Sequence, residues 1–341
     1  MISFVFDYSG GCHPRILELL QETNHVETAI FDEDQYCQRA RELIKEACQA
    51  AEADVHFIAS GTLTNLTVIS AALRPYQAVL STEQAHIATN ETGAIEAVGH
   101  RVITYPTADG KMKPEMIYAA AGKYTSVMHT QPKLVFVSQS TELGTVYTKA
   151  ELTALAEACK ECGYYLYLDG ARLGYALAVE GNDLWLPDIA QLCDIFYIGG
   201  NKVGALIGEA VVIVNPELKV GFRHVMKQKG ALLAKGRLLG IQFIGLFEND
   251  LYLSIGKNAI VQAALIKEAC RQKGYRLLVD SPSNMLFPVW PYVVIAQLQE
   301  KYNLGAVTRV DDDYGSVRLL TSWATKLEDT QALCSDLLRL T

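Results

Sequence analysis

The chain has 341 residues, half of them hydrophobic, and a formal net charge of −8; that length exceeds what one core usually serves and predicts two domains. Lys and Arg are interspersed with Asp and Glu throughout, and the absence of a basic block or a basic stripe studded with aromatics argues against nucleic acid as a partner. No apolar run approaches the thickness of a bilayer, and the opening MISFVFDYSGGCHP lacks a basic leader followed by an apolar stretch, so the expected location is the cytoplasm.

In chain order, RARELIKEACQAAEA (39–53) repeats apolar positions at helical spacing, VHFIA (55–59) reads as a short strand, TLTNLTVISAAL (62–73) as a helix and AVLST (78–82) as a strand. HRVITYP, KLVFVSQ, the helix KAELTALAEACKECG (149–163), YYLYLDG, DIFYIGG and EAVVIVN continue the alternation. Continuous apolar strands between helices imply a mostly parallel sheet covered on both faces, a doubly wound α/β arrangement up to about residue 215. From 216 to about 273 the chain is mainly helical. YRLLVD, MLFPVW, the helix YVVIAQLQEKY and SVRLLTSW then suggest a smaller α+β unit. The expected division is a large domain over 1–245, N-terminal segment included, and a small one over 246–341.

The eight cysteines, at 12, 37, 48, 159, 162, 193, 270 and 334, are scattered through predicted helices and strands, as reduced thiols of a cytoplasmic protein would be. Cys159 and Cys162 form a C-x-x-C that closes a helix instead of opening one and has no second pair, which reads as structural; no metal site is expected.

Ligands of open α/β sheets bind outside the carboxyl ends of the strands. Four such ends stand out. Ser60-Gly61-Thr62 ends a strand where a helix begins and offers free N–H groups and a hydroxyl to an anion, although alone it reads more readily as a helix cap. Asp169, followed by Gly170 and Arg172, ends another strand; His86 follows a third; either alone could be a cap. Lys202 follows a fourth in YIGGNKVGALIGEAVVIV (197–214), where it is the only charge between Asp194 and Glu209. Lysine is seldom buried unpaired, and buried lysines with depressed pKa are the ones that condense with aldehydes. An anion cradle, a strand-end carboxylate and a strand-end lysine together meet the needs of pyridoxal phosphate: a phosphate site, a partner for the pyridinium nitrogen and an amine for the aldehyde. Competing nucleotide motifs are missing: no G-x-G-x-x-G follows a strand, and no Gly-Lys pair is followed by Ser or Thr.

The ordered set SGTLTN (60–65), AHIATNETGAIEA (85–97), DGARLGYAL (169–177), GGNKVGAL (199–206) and VRLLTSW (317–323) resembles the threonine aldolase and β-eliminating lyase group of pyridoxal-phosphate enzymes, in the aspartate-aminotransferase type I fold, over essentially the whole chain. The resemblance implies that Lys202 attaches the cofactor, Asp169 pairs with the ring nitrogen and Arg172 lies near the ring hydroxyl. By the same resemblance, Gly61 and Thr62 hold the phosphate, His86 stacks on the ring and Arg318 clamps the substrate carboxylate. A serine that meets the substrate in the family corresponds to Ser9 only with a shift in register. The resemblance further implies a homo-oligomer, dimer or tetramer, in which Lys235, with Arg237 in reserve, reaches the neighbour's phosphate.

Three departures stand beside it: Asn201 where the family has Ser or Thr, Phe31-Asp32 in place of a Tyr-Gly pair, and Thr321-Ser322-Trp323 for T-H-W. The expected reaction is retro-aldol cleavage of L-threonine or L-allo-threonine to glycine and an aldehyde, with His86 the leading candidate for the base that takes the β-hydroxyl proton. Another pyridoxal-phosphate reaction such as β-elimination, or a non-catalytic α/β binding protein, are the alternatives. In SVRLLTSW, alternation would set Arg318 and Leu320 on one face and Val317 and Leu319 on the other.

Overall fold

The structure, a computed structural model, describes residues 1–340. A two-residue strand, β1 (Ile2–Ser3), is followed by β2 (Asp54–Ile58), β3 (Gln77–Thr82), β4 (Arg101–Tyr105), β5 (Gln131–Ser138), β6 (Tyr165–Asp169), β7 (Ile195–Gly199) and β8 (Glu209–Ile213). β2 through β8 form one seven-stranded sheet in the order β2-β8-β7-β6-β5-β3-β4, in which only β8 runs against its neighbours. Every residue of β7 and β8 is buried, as expected for strands near the middle of a sheet with both faces covered. One face carries the cluster of Ile58, Val79, Phe136, Tyr167 and Tyr197; the other carries Phe57, Leu80, Val137, Leu168 and Phe196.

Local sequence sets the helix ends. The helix Lys149–Cys162 begins with a reciprocal Thr148–Glu151 capping box and ends at Gly163, whose φ of 67° a side chain would resist. The helix expected over 39–53 forms as Gln35–Ala47, started by Asp34, whose Oδ1 accepts the N–H groups of Tyr36 and Cys37. Sequence periodicity overran its end because Ala50 and Ala53 stay apolar in the turn beyond it.

Two glycines let the strand ends converge. A Cβ on Gly170 would lie 1.8 Å from the carbonyl oxygen of Tyr197, and one on Gly199 would lie 2.5 Å from that of Ala171. Neither position accepts a side chain without backbone movement, so these glycines bring the ends of β6 and β7 together.

The remaining strands are short: β9 (Met285–Leu286), β10 (Val289–Pro291), β11 (Tyr302–Asn303), β12 (Val307–Arg309), β13 (Tyr314–Val317) and β14 (Leu319–Leu320). β10-β13-β12 form one antiparallel sheet, and β9 pairs with β14. A core of Phe4, Ile266, Trp290, Val317 and Leu333 lies beneath them. The helix Leu251–Gln272 joins the two cores, with Tyr252 and Ala259 in the large one and Ala263 and Ile266 in the small one. β1 pairs with β11, so the first residues pack with the C-terminal unit. YRLLVD makes only an isolated bridge, Leu277 to Pro288, instead of a strand. SVRLLTSW breaks at Arg318, where the chain leaves the pairing with β10 and β12 for that with β9. Val317, Leu319 and Leu320 are all buried and Arg318 alone is exposed, which departs from the expected alternation. No helix is long and apolar enough to cross a membrane among the described residues.

Candidate active site

The carboxyl ends of β2, β6 and β7 meet at a cavity of about 210 Å³ lined by Tyr8, Ser60, Gly61, Thr62, Asn65, His86, Glu142, Asp169, Ala171, Tyr197, Asn201, Lys202 and Glu209. Larger grooves exist, one of about 690 Å³ beside Trp185 and Phe247, but they hold no comparable convergence of reactive groups.

Helix α1 (Pro14–Thr23) and helix α2 (Gln35–Ala47) precede the site, and helix α3 (Gly61–Ala72) opens onto it. Ser60 occupies the N-cap position with extended φ/ψ, but its hydroxyl does not cap the helix. The first intrahelical bond runs from Thr64 N to Ser60 O at 2.9 Å, leaving the N–H groups of Gly61, Thr62 and Leu63 without carbonyl partners in the helix. The positive end of a 12-residue helix therefore faces the cavity, with Gly61 presenting bare backbone.

Asp169, the last residue of β6, is 4 % exposed. Its Oδ1 accepts from the Tyr197 hydroxyl at 2.5 Å and from Ala171 N at 2.9 Å, and its Oδ2 accepts from Asn65 Nδ2 at 3.2 Å. Asn65 is fixed in turn, because its Oδ1 accepts from the Tyr167 hydroxyl at 2.6 Å while its Nδ2 also donates to Glu91 at 2.7 Å. These three donors hold Asp169 in place.

His86 begins a short helix, α4 (His86–Thr89), and its Nδ1 lies 2.7 Å from Glu91 Oε1. Burial opposes charge on the imidazole. The hydrogen bond to Glu91 and the carboxylates of Glu142 and Asp169 overcome that, and the His86 pKa is raised.

Lys202 sits in the turn after β7. Its Nζ lies 5.7 Å from the Tyr8 ring centroid, and its own carbonyl accepts the Tyr175 hydroxyl. Burial, then the nearby Arg172 guanidinium, lowers the Lys202 pKa against the opposing pull of Asp7, Glu142 and Asp169. An amine biased toward its neutral form is the nucleophile that carbonyl condensation needs.

Arg172 lies just outside the cavity lining, and its guanidinium is bidentate to Asp7, at 2.7 Å from Nε and 3.2 Å from the second nitrogen. Asp7 also accepts from Asn284 Nδ2 at 3.0 Å. One buried carboxylate thus joins the N-terminal segment to both units. Burial would raise the Asp7 pKa, but Arg172 and Lys202 hold it below the ordinary value.

The other residues expected from sequence are more dispersed. Ser9 is exposed, with its hydroxyl 3.4 Å from Phe6 O, while its neighbour Tyr8 lines the cavity. Arg318 is exposed, outside the lining, and has no hydrogen bond or ion pair among the described residues. Lys235 is exposed and likewise free. Arg237 is committed within its own chain, donating to the carbonyls of Val26 and Thr23 and lying 5.5 Å over the Tyr36 ring.

Sequence reasoning missed Asp7, Asn65, Glu91, Glu142, Tyr197 and Glu209. Glu142 follows the carboxyl end of β5, the same signal that marked Asp169, and Glu209 is a charge opening an otherwise apolar strand. Asn65 and Tyr197 gave no signal of their own, since a helix asparagine and a strand tyrosine are ordinary.

The chain matches the β-eliminating lyase family over residues 18–281. It is 31% identical to the low specificity L-threonine aldolase of Pseudomonas aeruginosa, covering 97% of this chain and 95% of that protein. Leishmania major threonine aldolase superposes with a TM-score of 0.98 at 46% identity, covering 99% of each chain. An aspartate aminotransferase double mutant from Thermus thermophilus, 17% identical and covering 99% of this chain and 91% of its own, superposes with a TM-score of 0.71 and shares the fold.

Proposed function

This chain belongs to the β-eliminating lyase family, with the type I fold of aspartate aminotransferase and the pyridoxal-5′-phosphate dependence of that family, and on that premise we propose that it is a threonine aldolase whose reaction is carried by Lys202, Asp169 and His86. It cleaves β-hydroxy-α-amino acids of the threonine type to glycine and an aldehyde. The carrying observation is that one cavity combines Lys202, Asp169 and the uncapped start of α3, in a chain aligned end to end with threonine aldolases.

The residues present fit the cofactor. Free N–H groups and the uncommitted Ser60 hydroxyl at α3 suit its phosphate, with Gly61 and Thr62 at the entrance, and a Cβ on Gly61 would approach the Tyr197 hydroxyl to 3.5 Å. Asp169, held among its donors, suits the ring nitrogen, and Lys202 suits the aldehyde. When bound, the cofactor supplies an electron sink for the bond broken at Cα.

The chain's own residues do the rest. Asp169 keeps the ring nitrogen protonated by opposite charge. His86, oriented by Glu91 through its Nδ1, would stack on the ring and take the β-hydroxyl proton. In this reading Arg318 would clamp the substrate carboxylate bidentately and Ser9 would meet the substrate from the N-terminal segment; both are exposed. Arg172, held by Asp7, would take the side of the ring hydroxyl. A second copy supplies Lys235 to the phosphate in a dimer or tetramer, a role for which Lys235 is free and Arg237 is not. The eight unpaired cysteines, most of them buried, accord with the cytoplasm as location.

Incubation with L-threonine, L-allo-threonine and a panel of other β-hydroxy amino acids, with glycine and aldehyde measured, tests this function. Pyruvate and ammonia from serine, without glycine from either threonine isomer, would move the chain to β-elimination.

A further inference from the structure

We infer that Glu209 serves the cofactor site as a neutral acid: it keeps its proton and donates it in a hydrogen bond to the phosphate at the start of α3. The inference rests on the cofactor assignment above and extends it to a residue that is acidic where an anion must bind.

The topology puts Glu209 between the two parts of the site. β8 runs antiparallel between β2 and β7, with Glu209 opposite Ile58 on one side and Gly199 on the other. Ile58 leads into Ser60 and the entrance of α3; Gly199 leads into the turn that carries Lys202. The carboxyl group spans this gap. Its Oε2 accepts the Gly200 N–H at 2.9 Å, and its Oε1 lies 4.0 Å from where a Cβ on Gly61 would stand. Glu209 is 3 % exposed, its carboxyl group faces the N–H groups of Gly200 and Asn201, and it makes no ion pair among the described residues.

A carboxylate buried without an ion-pair partner tends to take up a proton: burial raises the Glu209 pKa to about 8 against the opposing pull of Lys202 and of the Gly200 and Asn201 N–H groups, with Asp169 adding to the rise. The other titratable groups facing it are Tyr197 of β7, Tyr167 of β6 and Tyr252 of the helix Leu251–Gln272, all held neutral by burial. A phosphate bound at the start of α3 would add negative charge beside Glu209, which favours the protonated acid. A protonated Oε1 turns an apparent repulsion into a donor facing the anion.

The test uses the purified full-length protein, stripped of cofactor and titrated with pyridoxal phosphate, following absorbance from about pH 6.5 to about pH 9.5 for the wild type, Glu209→Gln and Glu209→Ala. Glu209→Gln, which also donates, should bind within about threefold of the wild type at neutral pH and lack the wild type's loss of affinity at high pH. Glu209→Ala should bind roughly tenfold or more weakly at neutral pH. A Gln variant as weak as the Ala variant, or wild-type and Gln profiles of the same shape, would overturn the inference. As a check independent of variants, the phosphorus NMR resonance of the bound cofactor in the wild type should shift at alkaline pH as Glu209 ionises; a flat resonance would also overturn it. Failure of the wild type to bind the cofactor at any pH would instead overturn the functional assignment on which the inference rests.

Discussion

The Nδ1 of His86 and the Oε1 of Glu91 lie 2.7 Å apart, and that same oxygen accepts Asn65 Nδ2, which also reaches Asp169. The proposed base and the proposed partner of the ring nitrogen therefore hang from one buried amide. Glu91 favours the charged imidazole, so the raised His86 pKa has a defined consequence. A base must be neutral, and cleavage that uses His86 should rise with pH through a pKa above the ordinary histidine value. Removing the anion by Glu91→Gln should move that limb to lower pH. His86→Asn should cost about 10²–10⁴-fold in kcat, the usual range for lost acid–base catalysis, with cofactor binding only modestly weaker. Strong loss of cofactor with an unaltered pH profile would limit His86 to stacking.

Lys202→Ala should abolish both turnover and borohydride-stable attachment of the cofactor, while circular dichroism and thermal unfolding remain close to wild type. The side chain is partly buried, and Asp7 keeps its bidentate pair with Arg172 when Lys202 is removed, so that buried carboxylate is not left without a cation. Borohydride labelling of any other lysine would displace the assignment.

Much of this arrangement was legible in sequence because the sheet is mostly parallel. Apolar runs located β2 through β8, and the rule that ligands gather at carboxyl ends then picked out Lys202, Asp169, His86 and the start of α3. What was not legible arises from side chains meeting across long separations. Asn65 meets Asp169 across 104 positions and Asp7 meets Arg172 across 165, and neither pair carries a local pattern. In the C-terminal unit the strands are two to four residues long, too short for a period to establish itself. There the backbone changes partners at Arg318, and tertiary pairing overrides alternation.

Arg318→Leu should raise KM and lower kcat/KM for threonine by about 10–10²-fold, the scale of a lost charge-assisted clamp, with cofactor affinity unchanged. The guanidinium is exposed and has no partner among the described residues, so its removal costs the fold little. Steady-state kinetics beside a cofactor titration separate the two effects; unaltered kinetics would return Arg318 to the surface.

Association should be required for tight cofactor binding. Phe6, Tyr8, Leu206, Ile207 and Leu238 are all exposed apolar side chains on the N-terminal segment, the loop after Lys202 and the helix Arg237–Phe247 that follows Lys235, an area that a second copy would cover. Light scattering should give a dimer or tetramer, and Lys235→Ala should weaken cofactor binding by roughly threefold to tenfold without dissociating it. A fully active monomer would remove both the interface and the role of Lys235.

Glu142 supplies the sharpest check on the identity of the base. It stands in the loop after β5, lines the same cavity as Lys202 and His86, is only partly buried, and has no hydrogen-bond partner among the described residues. Its charge helps to hold His86 protonated and bears on Lys202 as well. If His86 takes the proton, Glu142→Gln should lower the His86 pKa, shift the acid limb of kcat downward and change the maximal rate by less than about tenfold. A carboxylate base would reverse the effects of the two variants. Glu142→Gln would then remove about 10²-fold or more of kcat at every pH, and His86→Asn would spare it. Two pH–rate profiles, one for each variant, decide between the imidazole and the carboxylate.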